Sequence, residues 1–307
     1  MNKKIVAVIG GSGFLGRYVV NELVKSGYLV KVLCRTIETA EDLKTIGPSG
    51  IVSVCPTDSA NFLELVENLR GAYAVINLVG ILYESGKQKF SQFHVKNSIN
   101  AAMAAEELKI EHFVQVSALG VDKSFQSSHY ARSKLDAEKQ VKSVFKNAVI
   151  IRPSVLFGAE DNFFNKFAFM SKFLKIIPSI SGYTKFQPIY VADVAKAIVL
   201  AIDNPVLEGK IIELAGDKVY SFNQLLVLVK KYTNSSAIIV PIPKWLAYII
   251  ALVIAPFSKA ITIDQLNLLK YDNIIDKSNK HLTAKDLHLK LHSIEDVVPK
   301  YLSKFSC

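Results

Sequence analysis

The chain has 307 residues, half of them apolar, with 37 Lys and Arg against 27 Asp and Glu. That composition is enough to bury a sizeable core and excludes global disorder. The formal net charge of +10 points to an acidic partner, but the 32 lysines are scattered with no dense basic block, which argues against nucleic acid and leaves a phosphorylated ligand or an anionic membrane surface.

Met1 to Lys4, followed by the apolar run Ile5–Ile9, has the outline of a signal peptide. The run is short and breaks at Gly10-Gly11-Ser12-Gly13, so a first strand entering a glycine turn is expected, in a cytoplasmic protein. Further strands are expected at Leu29–Leu33, Ile51–Cys55, Ala74–Leu78, His112–Val116 and Ala148–Ile151. Amphipathic helical stretches at Asn21–Lys25, Phe62–Leu69, Ser98–Leu108 and Ser133–Val144 alternate with them. Nearly all-apolar strands alternating with helices predict a parallel sheet covered on both faces. After Arg152-Pro153 the pattern loosens: Phe163–Leu174 is aromatic-rich and Ile177–Tyr183 carries Pro, Ser and Gly. Helical periodicity returns at Val191–Ile202, and helices dominate from Phe222 onward. The cysteines, Cys34, Cys55 and Cys307, fit neither a zinc site nor a disulfide framework. No metal is expected, and Cys34 and Cys55 read as reduced thiols buried in strands.

The turn after the first strand reads Gly10-Gly11-Ser12-Gly13-Phe14-Leu15-Gly16. Glycines there serve a tight turn, backbone approach to a pyrophosphate and close packing of helix on strand, with the phosphates at the positive end of the helix dipole. At the first strand–helix junction this is a strong dinucleotide signal. The expected fold is therefore α/β, a doubly wound NAD(P)-binding Rossmann domain over residues 1–155 to which 186–215 return, with a smaller, mainly helical lobe in 156–307. The second strand ends in Leu33-Cys34-Arg35-Thr36, where an NAD site would carry an acid for the ribose 2′-hydroxyl. Arg35, with Arg17 just beyond Gly16, suits a 2′-phosphate instead, so NADP(H) is expected ahead of NAD(H); the plain alternative is that either arginine is a solvated surface residue. Asp58 either caps a turn or meets the adenine. Leu78, Val79 and Gly80, ending the fourth strand, are expected to run under the cofactor.

Tyr130 and Lys134 are one helical turn apart on one face. An ammonium beside a phenol lowers its pKa, which suits an acid or base in carbonyl reduction. The same spacing at Tyr83 and Lys87 lies in a glycine-containing loop and reads as coincidence.

Together the glycine turn, Asn77–Gly80, Tyr130 with Lys134, and Arg152–Gly158 resemble the extended and atypical short-chain dehydrogenase/reductases. Within them the sequence is similar to one branch, the nucleotide-binding accessory subunit of respiratory complex I and its bacterial relatives. The stretches that carry this are Gly10–Tyr18, Val75–Leu82, Phe113–Gly120, Ile151–Phe167 and Gln187–Val194, and the likeness thins after about Ala215. The resemblance implies tightly held NADPH, bound through Gly10, Ser12, Gly13, Phe14, Leu15, Arg17, Arg35, Tyr130 and Lys134, with Gly16 and Pro153 beside it. It also implies partners among respiratory complex subunits, or a role in quinone metabolism. Active members of the class place a Ser or Thr beside the Tyr. Here Ser117 begins that motif and Ala118 and Leu119 follow it; Ser117 reads either as the third catalytic residue or as a strand-end hydroxyl satisfied by backbone. His94 stands where Asn is common.

Trp245–Ala255 is an apolar run of eleven residues, too short to span a bilayer, which needs about 20. It is either a buried helix or a docking helix flanked by Lys244 and Lys259, suited to anionic headgroups. Two functions stay open: an accessory or assembly factor of the respiratory chain holding NADPH, and an active NADP-dependent oxidoreductase or epimerase on a hydrophobic carbonyl or quinone-like substrate.

Overall fold

The structure, a computed structural model, describes residues 3–254, 261–276, 278 and 281–306. Ala255, at the end of the apolar run, the flanking Lys259, and Cys307 lie outside the described residues.

The chain opens β1 (Ile5–Ile9), α1 (Phe14–Lys25), β2 (Leu29–Cys34), β3 (Val52–Pro56), α2 (Phe62–Leu69), β4 (Ala74–Asn77), α3 (Asn97–Glu107), β5 (His112–Val116), α4 (Val121–Ser124), α5 (His129–Val144) and β6 (Val149–Pro153). Alternation along β1 shows why both faces are covered. Val6 and Val8 point into a cluster with Val19 and Leu23 of α1, while Ala7 and Ile9 point into another with Leu65 of α2 and Ala101 of α3. The large sheet has eight parallel strands in the order β3-β2-β1-β4-β5-β6-β11-β14, where β11 is Ile211–Leu214 and β14 is Leu282–Thr283. The chain winds outward from β1 to β3, then returns to β4 on the other side. The crevice between β1 and β4 is the switch point at which doubly wound sheets bind ligands.

The rest of the chain forms β7 (Leu156–Phe157), α6 (Asn162–Phe169), β8 (Ile176–Ile180), β9 (Lys185–Phe186), β10 (Ile189–Tyr190), α7 (Val191–Asp203), β12 (Tyr220–Ser221), α8 (Phe222–Tyr232), β13 (Ile238–Ile242), α9 (Lys244–Ile254), α10 (Ile263–Leu268) and α11 (Ile294–Leu302). Helix α7 packs against α1 on the large sheet. Phe157, Phe164, Phe222, Leu225 and Val298 build a separate core from α6, α8 and α11.

Several local expectations shift. Helix α1 begins at Phe14, seven residues before its periodic part, because the glycine turn feeds it directly. The stretch Ile177–Tyr183, where Pro, Ser and Gly loosen the pattern, contains most of a strand: β8 pairs in parallel with β13, and its Pro178 is tolerated because a two-stranded sheet is all edge. Two-residue β14 carries no periodicity to read, yet it forms the eighth strand of the large sheet. Cys34 is buried as expected, but Cys55 is only half-buried, since β3 is the sheet's edge strand. The apolar helix α9 is not buried all round. It sinks the small Ala247 and Ala251 and leaves Trp245, Ile249, Leu252 and Val253 exposed.

Candidate functional site

The turn after β1 is a cradle of backbone. Gly10 has φ +80°, a left-handed conformation that favours glycine, and its N–H donates to the Leu33 carbonyl at 3.0 Å, which stitches the turn to β2. A Cβ on Gly16 would lie 2.5 Å from the Gly11 carbonyl oxygen, so only glycine lets α1 approach the strand this closely. Gly13 caps α1 with no side chain, leaving the first amides of the helix facing the turn. The first turn of α1 also lacks acids, so its positive end is not neutralised.

A cleft runs from this turn along the carboxyl ends of the strands. Gly10, Ser12 and Gly13 line it from β1, Leu33 and Arg35 from β2, Thr57 and Ser59 after β3, and Leu78 to Ile81 after β4. Phe93 closes one side, with the Arg35 guanidinium 5.3 Å from its ring. The two arginines part company. Arg35 stands at the cleft rim, whereas Arg17 forms an ion pair with Asp42 and donates to the Thr39 carbonyl at 2.9 Å. Asp58 caps a turn, accepting from the Ala60 N–H at 3.0 Å, and lines the same rim as Arg35. Leu15 packs into the core, and the Phe14 ring lies against Tyr18 and beside Gly158. Pro153 ends β6, its carbonyl accepting the Leu119 N–H at 2.9 Å.

Beneath the strand end, Asn77 donates to Ser98 Oγ at 3.0 Å and Gln115 Oε1 at 2.9 Å, and its Oδ1 accepts the Val79 N–H at 3.2 Å. This buried network fixes Leu78 to Gly80 where the cleft needs open backbone. Gly80 is also where the lysine arrives: a Cβ there would come 2.9 Å from Lys134 Nζ. Lys134 is buried and donates to the carbonyls of Val79 at 3.5 Å and Val116 at 3.3 Å. Burial lowers its pKa to about 8 against the opposing pull of Glu138.

Tyr130 lies on the same helix, half-buried, but its phenol is not activated. Burial, and then the carboxylate of Asp264, push it up to about 12. The Asp264 carboxylate sits on the N-terminus of α5, accepting from Ser128 Oγ at 2.9 Å and from the N–H groups of His129 at 2.6 Å and Tyr130 at 3.1 Å. Tyr130 meets the edges of two further rings, Phe90 at 5.9 Å and His94 at 5.4 Å. His94 is buried; its Nε2 accepts the Ile81 N–H at 3.0 Å, which leaves Nδ1 to donate to Ser133 Oγ at 2.8 Å. Burial and the nearby Lys134 charge hold this imidazole neutral, its pKa down to about 2.

Ser117 corrects one expectation. Its backbone N–H donates to Ile151 at 2.7 Å, but its buried hydroxyl has no hydrogen-bond partner among the described residues, so backbone does not satisfy it.

Behind α5, Arg152 makes a bidentate pair with Glu138 at 2.8 and 2.9 Å and donates to Asp122 at 2.8 Å and Glu213 at 3.3 Å. Asp122, Glu213 and His281 come within ligand distance of one another, and the positive charge between the two carboxylates is Arg152's own. Sequence reasoning missed Phe93 and Asp264. Phe93 carries no periodic signal, and Asp264 lies 134 residues from Tyr130.

With the geometry in hand, comparison with known proteins gives the family. The model of the NmrA-like family matches residues 2–298. The chain belongs to that family. It is 32% identical over 300 residues to the mitochondrial NADH dehydrogenase [ubiquinone] 1 alpha subcomplex subunit 9 of Mus musculus, covering 95% of this chain and 79% of that protein. The Arabidopsis thaliana subunit of the same name is also 32% identical, over 98% of this chain and 78% of its own length. Among solved structures, an NADPH-dependent quinone oxidoreductase of Escherichia coli complexed with NADPH superposes with a TM-score of 0.76 at 19% identity, covering 97% of this chain and 99% of that one. This NmrA-like chain is thus homologous to complex I accessory subunits and shares its fold with reductases. No helix among the described residues is long and apolar enough to cross a membrane.

Proposed function

We propose that this NmrA-like chain holds a nicotinamide dinucleotide, NADP(H) in preference to NAD(H), and serves as an accessory or assembly factor of a respiratory NADH:ubiquinone oxidoreductase, on the cytoplasmic face of the membrane. The observation that carries the reading is the glycine cradle at the β1–β4 switch point, continuous with Arg35 at one end and Gly80 with Lys134 at the other. The residues fit the group. Gly10 to Gly13 offer open amides to a diphosphate at the head of α1. Arg35 offers a guanidinium where an NAD site would carry an acid. Lys134 brings a cation to the cleft wall at Gly80. A bound dinucleotide would supply hydride chemistry, but Tyr130 is poorly prepared to join it. Its phenol is held well above neutrality, and the lysine is engaged with two backbone carbonyls. A structural ligand fits that arrangement better than a turning-over one, and the similarity to mitochondrial complex I subunits supports the accessory role.

A second reading rests on Ser117. A buried hydroxyl without a partner costs free energy, and such atoms gather where a substrate oxygen completes them. It supports an NADP-dependent oxidoreductase or epimerase acting on a hydrophobic carbonyl or quinone-like compound.

Tyr130→Phe separates the two. The accessory reading predicts that the variant retains nucleotide and restores respiration in a deletion strain as well as the parent does. A variant that retains nucleotide yet behaves like the deletion would overturn it in favour of catalysis.

A further inference from the structure

Two stretches of this chain, residues 162–192 and 218–263, contain nine lysines, no arginine and not one Asp or Glu. They make up about a quarter of the sequence. Folding brings them together, for β8 from the first pairs along its whole length with β13 from the second. Thirteen of the nineteen large apolar side chains exposed among the described residues lie in them. At one end of the β8–β13 ribbon the paired residues Ile176 and Ile238 are both exposed, and Phe169 and Phe173, 4.6 Å apart, stand just ahead of them. At the other end, Ile180 and Ile242 support α9, which turns Trp245 and Leu252 outward, 64% and 61% exposed.

We propose that this face docks on an anionic lipid bilayer. Exposed apolar surface on this scale marks an interaction site. The stretches themselves carry no acid, and with Glu295 of α11 paired to Lys218 at 3.0 Å they keep a net positive charge that favours a negatively charged partner. The choice of cation selects lipid over protein. Protein interfaces are enriched in Arg and depleted of Lys, whereas here every cation is Lys. Lysine stems lie along apolar surface while the ammonium reaches headgroups. Lys172 stands at this surface, its ammonium 5.9 Å from the exposed Phe173 ring and donating to the Lys304 carbonyl at 3.4 Å. Trp245 at the head of α9, beside Lys244, is the side chain expected at the headgroup level. Because α9 is eleven residues long, it lies in the interface rather than crossing it. The surface involves none of the cleft residues, so docking and nucleotide retention are separately measurable.

The chain's single tryptophan is the probe. The full-length protein is mixed with vesicles of phosphatidylcholine alone, or of phosphatidylcholine with phosphatidylglycerol, and followed by flotation and Trp245 emission. Binding is expected only to the anionic vesicles, with a blue shift of Trp245 and release by high salt. An exposed lysine near such a surface contributes about five-fold to partitioning. The double variant Lys172→Glu/Lys244→Glu should therefore bind more than ten-fold more weakly while melting like the parent. Leu252→Glu should also lose the interaction. Equal flotation with neutral vesicles, no flotation at all, or unchanged binding by the double variant would overturn the proposal. Self-association abolished by the same substitutions, without lipid binding, would reassign the face to a second copy of the chain.

Discussion

The Asp264 carboxylate accepts the backbone N–H of Tyr130 at 3.1 Å, although the two residues are 134 apart in the chain. One acid from α10 thus caps the helix carrying both Tyr130 and Lys134, and its charge contributes to the raised phenol pKa. Replacing it as Asp264→Asn keeps the shape and removes the charge. The Tyr130 phenol should then titrate below its present value of about 12, visible in the Cζ shift of labelled tyrosine. Loss of the negative charge at the head of α5 should cost up to about 1 kcal/mol in urea unfolding.

His94 gives the fold an acid-sensitive point. Its pKa falls from 6.5 to about 2 on folding, so below pH 6.5 the unfolded chain binds the proton that the native chain refuses. The stability it contributes is complete above pH 6.5 and declines as pH falls toward 2, by at most about 1.4 kcal/mol per pH unit. Between pH 7.5 and 5, His94→Asn should lose less stability than the parent. Parallel pH profiles for the two proteins would show that His94 is not held neutral.

Arg35 and Arg17 should differ in their effect on nucleotide preference. Arg35 stands at the cleft rim against the Phe93 ring, and Arg17 is tied to Asp42. Arg35→Ala should weaken NADPH about ten-fold or more, the worth of a charge-assisted contact of about 1.5–3 kcal/mol, with little change for NADH. Arg17→Ala should have the smaller effect in titration calorimetry. Equal losses for both nucleotides with Arg35→Ala would contradict a 2′-phosphate contact.

Gly16→Ala tests the turn itself. The added methyl would meet the Gly11 backbone at 2.5–2.6 Å, and backbone there cannot give way cheaply. The variant should lose about 1–3 kcal/mol in thermal unfolding, as overpacked sites do, and should release its nucleotide. Gly27→Ala, with open space around its Cβ, would be strained by its φ of +87° alone. It should leave nucleotide binding untouched.

Breaking the buried pair behind the site should be costlier than any surface change. Glu138 neutralises Arg152 through two bonds, and both are buried. Glu138→Ala removes the bidentate partner and leaves Arg152 only Asp122 and Glu213, so it should cost about 1.5–3 kcal/mol, measurable as a fall in the urea midpoint.

The first six strands of the large sheet were legible because each reads as a short, mostly apolar run between helices, broken only by single polar residues such as Lys31 and Gln115, and the turn because Gly10, Gly13 and Gly16 each answer a geometric demand. Short elements were not legible: β14 has two residues and no period. Helix α9 was ambiguous because its apolar run is continuous, so sequence does not say which face the alanines would choose. At the site, the spacing of Tyr130 and Lys134 predicted a shared helix face, but not that the ammonium would turn to the carbonyls of Val79 and Val116. Nor did it show that a distant Asp264 would work against an activated phenol. Those facts depend on how α10 and the ends of β4 and β5 come to lie against α5, which no local pattern encodes.

The most direct measurement is to purify the protein from its native cells without added nucleotide, release what it holds by denaturation, and identify it by mass. This account predicts about one equivalent of NADPH, retained through purification and lost from Gly16→Ala. A folded protein that carries no dinucleotide, and takes up none at millimolar supply, would contradict it.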